Sequence, residues 1–303
     1  MKSKTNPAMY VITGITGQVG GAVARTLLAN NQPVRAVVRD AAKGAAWTAL
    51  GCEVALADMN DTTALTAAFK GAAGVFFLLP PTFDPTSGFP EARAQIEAAA
   101  TALRTARPAK VVCISTVGAQ ATQTNLLTQL TLLEKEFSKL PMPVTFLRPG
   151  WYMENSRWDI APAAQTGVFP SFLQPLDKPV PMVATADVGR TAAELLLETG
   201  SGQRFVELEG PRRVTPNEIA VTLAWILGRP VRTEIVPRVQ WADLFKSQGM
   251  KNPEPRMRMI DGFNEGWIEF TAGPTGTRKG ATPLETVLRD LVGQTAAQVT
   301  SNR

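Results

Sequence analysis

The sequence predicts an α/β protein: a doubly wound parallel sheet that carries a smaller C-terminal lobe. Three observations point there. Short β-branched runs alternate with helix-period segments through the first 150 residues. The runs are apolar on both faces, as strands covered by helices on both sides must be. A glycine-spaced turn follows the first run directly.

Met9–Thr13 reads as the first strand, and Val34–Val38, Glu53–Leu56, Gly74–Leu79, Lys110–Ser115 and Val144–Leu147 follow. Between them Val19, Val23 and Leu27 recur at helical spacing, and Leu65 and Phe69 repeat it after the cap-type pair Asn60-Asp61. Leu126, Leu130, Leu133, Phe137 and Leu140 predict one continuous apolar stripe. Beyond residue 150 the pattern loosens into Pro/Gly-rich loops with two well-signed helices. Thr215-Pro216-Asn217-Glu218 offers an N-cap, a first-turn proline and a capping-box glutamate, with a stop at Gly228. Thr282-Pro283-Leu284-Glu285 repeats the device and predicts an end near Gly293. The expected division is a cofactor-binding domain over 1–155 and a substrate lobe over 156–303, with about 183–210 packing back on the first.

Composition removes whole classes of chemistry. The 303 residues include 31 basic and 26 acidic side chains and no histidine. Ser-His-Asp hydrolases, Cys-His proteases, HExxH enzymes and His-ligated zinc sites are therefore excluded. Cys52 and Cys113 are too few for a disulfide framework or a thiolate cage, so no metal is expected. Both lie in apolar runs and read as small buried hydrophobes, in keeping with a reducing cytoplasm. Scattered basic residues, without an aromatic-interleaved stripe, argue against a nucleic-acid partner. No apolar run approaches the ~18 residues of a membrane span. The basic start loosely mimics a signal peptide, but its glycines make a poor apolar segment, and the run is read as a strand.

The turn after the first strand is Thr13-Gly14-Ile15-Thr16-Gly17-Gln18-Val19-Gly20. Glycines at this spacing allow a tight turn, close backbone approach to a pyrophosphate and close packing of helix on strand. The helix beginning near Gln18 then offers free N–H groups and its positive end to phosphates. The second strand ends Val38-Arg39-Asp40, with Lys43 one turn on. A guanidinium there can hold a ribose 2′-phosphate bidentately, with Lys43 as a point charge. Asp40 is the counter-argument, since an acid there can bind an unphosphorylated ribose. NADP is weighed above NAD. Asp58 and Met59, after the third strand, are placed to meet an adenine edge, or Asp58 simply caps its loop.

These segments resemble the NmrA-like branch of the atypical short-chain dehydrogenases/reductases over almost the whole chain. The resemblance rests on GITGQVG at 14–20, VRAVVRD at 34–40, GVFFLLPP at 74–81, VCISTVGA at 112–119, TFLRPGWYMEN at 145–155, TADVG at 185–189 and RPVRTEIVP at 229–237. It implies a Rossmann domain binding NADP(H) through the glycine turn, Arg39, Lys43, Asp58 and Met59. Leu79 and Pro80, and the stretch from Pro149 and Gly150 through Tyr152 to Asn155, would lie near the ribose and nicotinamide. Arg93 is a further basic candidate facing the phosphates.

The departures bear on chemistry. Tyrosine-dependent relatives use a Tyr-x-x-x-Lys pair, but Gly14 follows Tyr10 at that distance and Ser156 follows Tyr152. Leu130 stands where relatives often carry a lysine or histidine. Tyr152, Ser115 and Thr116 remain as hydroxyl candidates, although the latter two can equally satisfy a strand end. Phe83, Trp151, Tyr152, Phe263 and Trp267 suit a flat apolar substrate, or pack between the lobes. Asp187 reads as orienting a helix start. The expected function is an NADP(H)-dependent reductase of quinone, azo or dye-like acceptors. The alternative is a non-catalytic NADP(H) sensor acting through a protein partner.

Overall fold

The computed structural model describes residues 8–301, and the basic residues at the very start lie outside them. Its strands are β1 (Tyr10–Ile12), β2 (Val34–Val38), β3 (Glu53–Leu56), β4 (Gly74–Phe77), β5 (Val111–Ile114), β6 (Val144–Pro149), β7 (Trp151–Tyr152), β8 (Val168–Ser171), β9 (Met182–Val183), β10 (Gln203–Glu209), β11 (Arg232–Ile235) and β12 (Arg278–Lys279). The helices are α1 (Gln18–Ala29), α2 (Ala41–Ala49), α3 (Thr62–Phe69), α4 (Pro90–Ala106), α5 (Thr128–Phe137), α6 (Ile160–Thr166), α7 (Thr185–Leu197), α8 (Pro216–Leu227), α9 (Trp241–Ser247), α10 (Glu254–Glu265), α11 (Gly273–Gly276) and α12 (Leu284–Ser301).

Eight strands form one sheet in the order β12-β10-β6-β5-β4-β1-β2-β3, and every recorded pairing in it is parallel. The strand order reverses between β1 and β4, which opens a crevice at their carboxyl ends. Side chains alternate across the sheet: Phe77 enters the layer under α3, α4 and α5 with Phe69, Leu103 and Phe137, while Phe76 enters the opposite layer with Val23, Leu27 and Leu196 of α1 and α7. Burial on both faces explains why these strands read as unbroken apolar runs.

The chain returns to this sheet late. Helix α7 lies so close to α1 that a Cβ on Gly189 would fall 2.3 Å from that of Ala22. Strand β10 pairs with β6, stacking Phe205 on Phe146 at 5.1 Å. The remaining elements enclose a separate apolar cluster around Trp241, Phe245, Leu223 and Leu288, flanked by the parallel pair β8–β11.

Four expectations are corrected. Strand β4 ends at Phe77, because Leu78 N donates to Thr13 Oγ1 instead of continuing a ladder. The stripe from Leu126 to Leu140 is helical only over Thr128–Phe137, since Leu126 N is held by Pro255 O and Leu140 precedes a proline. Helix α12 runs through Gly293 to Ser301, as that glycine does not adopt the left-handed conformation that stops α8 at Gly228. Thr282, expected to cap α12, donates its hydroxyl to Asp187 Oδ1 at 2.9 Å. Asp187 also accepts from Thr282 N at 2.9 Å and from Arg190 of its own helix, so it ties α7 to the approach to α12.

Candidate functional site

The crevice is built by its own stitching. Thr13 Oγ1 donates to Phe76 O at 3.2 Å and accepts from Leu78 N at 2.9 Å, which ties the ends of β1 and β4 together. That hydroxyl is therefore committed to the sheet. Gly14 turns the chain at φ +63°, a conformation that favours glycine. Thr16, Gly17 and Gln18 then form an exposed lip at the start of α1, and among the described residues no side chain caps the helix there. A Cβ on Gly17 would meet only Gly14 O, at 3.3 Å, whereas one on Gly20 would lie 2.3 Å from the same oxygen. Val19 is buried, so only its backbone faces the turn.

At the end of β2, Arg39 and Lys43 are exposed, and neither joins an ion pair among the described residues. Asp40 accepts from Ala42 N at 2.9 Å and caps α2. Asp58 closes its own turn, accepting from Asn60 N at 2.9 Å and Asn60 Nδ2 at 3.0 Å. Those bonds, with the Arg39 charge as a lesser cause, hold its carboxyl below the ordinary carboxylate range. Met59 and Leu79 are buried in the core, while Pro80 is half-buried where the next loop leaves the sheet. Arg93 donates to Gly88 O at 2.8 Å and so braces this loop.

Beyond β5 and β6 the hydroxyl candidates are engaged. Buried Ser115 donates to Glu134 Oε1 at 2.5 Å, and buried Thr116 donates to Val117 O at 3.0 Å. Pro149 and Gly150 end β6 in a crowded place, where a Cβ on Gly150 would sit 2.4 Å from Pro181 O. Tyr152 is half-buried, and burial, then the Glu154 charge, push its phenol above the ordinary tyrosine value. Asn155 is exposed.

The aromatic candidates divide. Phe263 is buried core, packed edge-on to half-buried Trp151 at 5.2 Å, and is a wall support rather than an open surface. Trp267 is half-buried and donates Nε1–H to Glu265 Oε2 at 2.7 Å. Phe83 is 66% exposed on the loop after β4.

Two polar clamps escape the sequence reading. Glu154 accepts from Thr185 Oγ1 at 2.6 Å and Thr185 N at 2.9 Å, and the same hydroxyl lies 3.3 Å from Gln18 Oε1. The glutamate lies inside the motif TFLRPGWYMEN and Thr185 opens TADVG, so both segments were visible but their meeting was not. Asp84 accepts from Lys251 N at 2.8 Å and Asn252 N at 2.7 Å, which joins the loop after β4 to the second lobe.

The NmrA-like family model matches residues 8–266. The chain is 28% identical over 260 residues to an NAD(P)H azoreductase from Xenophilus azovorans, covering 85% of each protein. It is 32% identical over 228 residues to a (4-alkanoyl-5-oxo-2,5-dihydrofuran-3-yl)methyl phosphate reductase from Streptomyces griseus, covering 75% of this chain and 76% of that protein. Among solved structures, the NADPH complex of an NADPH-dependent quinone oxidoreductase from Escherichia coli superposes with a TM-score of 0.77 at 26% identity, over 92% of this chain and 98% of the other.

Proposed function

The chain belongs to the NmrA-like family, and from that premise we propose that it is an NADP(H)-dependent reductase of conjugated, electron-poor small molecules. One observation carries the reading: an exposed glycine lip at the strand-order reversal, with Arg39 and Lys43 in no ion pair among the described residues at the neighbouring strand end. Backbone N–H groups of Thr16, Gln18 and Val19 and the positive end of α1 suit a pyrophosphate, while Gly17 N–H closes the turn onto Gly14 O at 3.0 Å. Arg39 and Lys43 suit a 2′-phosphate, because the nearest acids, Asp40 and Asp58, are occupied in capping their own turns. NADPH, when bound, supplies the hydride.

The work left to the protein is to orient and to exclude water. On this reading Tyr152, Trp151 and the Pro149-Gly150 turn would support one side of the cleft, with Phe83, exposed on the loop after β4, facing the other. With no histidine, no tyrosine–lysine pair and the Ser115 proton committed to Glu134, the site holds no obvious general acid. An acceptor that delocalises the incoming electrons tolerates this, and its protons come from water. The azo compound, quinone and oxo-dihydrofuran named for the relatives share such conjugation.

The test follows NADPH absorbance with quinone, azo and enone acceptors beside unactivated aldehydes and ketones. Oxidation confined to the conjugated set is expected. Tight NADPH binding with no turnover of any acceptor would instead favour a cofactor-sensing protein.

A further inference from the structure

The segment Met250–Arg256 lies where three parts of the chain meet. Asp84, in the loop leaving β4, accepts from Lys251 N and Asn252 N, and Asn252 Nδ2 donates to Pro85 O at 3.0 Å. Leu126, in the loop leaving β5, donates its N–H to Pro255 O at 2.8 Å. The segment is thus fastened to the two loops that rise from the carboxyl ends of β4 and β5, the acceptor side of the crevice. Exposed Phe83 adjoins the Asp84 clamp.

Arg256 is half-buried in this seam. Its guanidinium carbon lies 4.3 Å from the centroid of the Phe245 ring, and Nη1 lies 3.8 Å from Met250 Sδ. Among the described residues no carboxylate pairs with it and no carbonyl accepts from it, whereas Arg213 and Arg238 of the same lobe are paired bidentately with Glu269 and Asp261. Burial lowers its pKa from the ordinary arginine value, and no acidic neighbour offsets that. A guanidinium has five N–H donors, and a thioether is a weak acceptor for one of them. The remaining donors keep contact with solvent and have no protein acceptor among the described residues, so they are open to an anion.

We propose that Arg256 receives an acidic substituent of the acceptor (a carboxylate, sulfonate or phosphate) and so selects anionic conjugated acceptors over neutral ones. The planar fork binds two oxygens of such a group while the flat ring system lies toward Phe83. This specificity rests on the reductase reading above.

The experiment compares kcat/KM for a naphthoquinone and its sulfonated counterpart in wild type, Arg256→Gln and Arg256→Lys, with thermal melting of each. Arg256→Gln is expected to lose about tenfold or more on the sulfonate and less than about twofold on the neutral quinone. Arg256→Lys should regain part of the loss, since it keeps a charge without the fork. Equal losses on both acceptors with a lowered Tm would overturn the proposal and leave Arg256 as a cover for Phe245. No change on either would overturn it too. If wild type reduces neither quinone, the reductase reading fails separately. Equilibrium binding of naphthalene sulfonate then decides the matter: binding lost in Arg256→Gln supports the anion site, and no binding to wild type refutes it.

Discussion

Ser115 Oγ donates to Glu134 Oε1 at 2.5 Å, and Arg148 Nε reaches the same oxygen at 2.8 Å. Arg148 Nη2 completes the fork to Glu134 Oε2 at 2.7 Å, and Glu207 lies 3.7 Å from Nη1. All four side chains are buried, so a hydroxyl that looks catalytic at the end of a strand is one corner of an internal ionic network. Its proton faces a carboxylate and not the crevice.

Two outcomes follow from that network. Ser115→Ala should leave turnover within a few-fold of wild type. Glu134→Ala should cost about 3–5 kcal/mol of stability, because Arg148 is left buried beside a void. Urea denaturation and steady-state rates separate the two. A collapse of kcat in a normally folded Ser115→Ala would place the hydroxyl back in the chemistry.

The glycines of the turn should divide by task. Gly17→Val adds bulk on the exposed lip, where the backbone can keep its extended conformation, so the protein should fold and lose dinucleotide binding. Gly20→Ala drives a Cβ to 2.3 Å from Gly14 O and must shift α1, which should cost roughly 1–3 kcal/mol. Melting curves and NADPH titration on both variants check the split. An unfolded Gly17→Val would mean that this glycine serves the fold instead.

Arg39→Ala should weaken NADPH about tenfold or more and NADH very little, because a charge-assisted bond to the extra phosphate is lost. Titrating both cofactors against both proteins measures it. Equal affinity of wild type for NADH and NADPH would refute the assignment.

The turn was legible in the sequence because its parts are neighbours: a strand, three glycines and a helix start within eleven residues of Tyr10. The box at Thr215–Glu218 was legible for the same reason, and both of its reciprocal bonds form. The Asp84 clamp spans 167 positions and no local pattern announces it. Gly189 carries no turn signature either, since its task is to let α7 approach Ala22. The bond from Ser115 to Glu134 was not legible, because spacing along a chain shows where a hydroxyl stands but not which way it points.

Asp159 should give the protein a pH-dependent stability. Burial raises its carboxyl to about 7, and no hydrogen bond to it is present among the described residues. A carboxyl whose folded value is raised holds its proton more firmly when folded, so its full contribution is present below the unfolded value of about 3.9. That contribution is lost as pH rises from there through about 7. Asp159→Asn should remove this slope and raise Tm at neutral pH. Melting curves of both proteins across the window test it, and parallel curves would show that Asp159 is solvated.

Tyr152 is the remaining hydroxyl at the crevice, and its setting decides what it can do. It lies on β7 opposite Val183 of β9, half-buried, with its phenol raised by burial and by Glu154. At neutral pH it is therefore protonated, and no lysine follows at the spacing that would favour tyrosinate, since Ser156 stands there. A simple ketone gathers negative charge on one oxygen and needs a donor poised to give a proton and be recharged. A quinone or azo acceptor spreads that charge over its π system, so alignment matters more than acid strength. Tyr152→Phe keeps the ring proposed to align the acceptor and removes only the hydroxyl. It should lower turnover of conjugated acceptors by no more than about threefold, leave the pH–rate profile unchanged and leave unactivated ketones unreduced. Tyr152→Ala, which removes the ring as well, should raise KM and lower kcat together. Brisk ketone reduction by wild type that vanishes in Tyr152→Phe would show that the phenol is the acid after all.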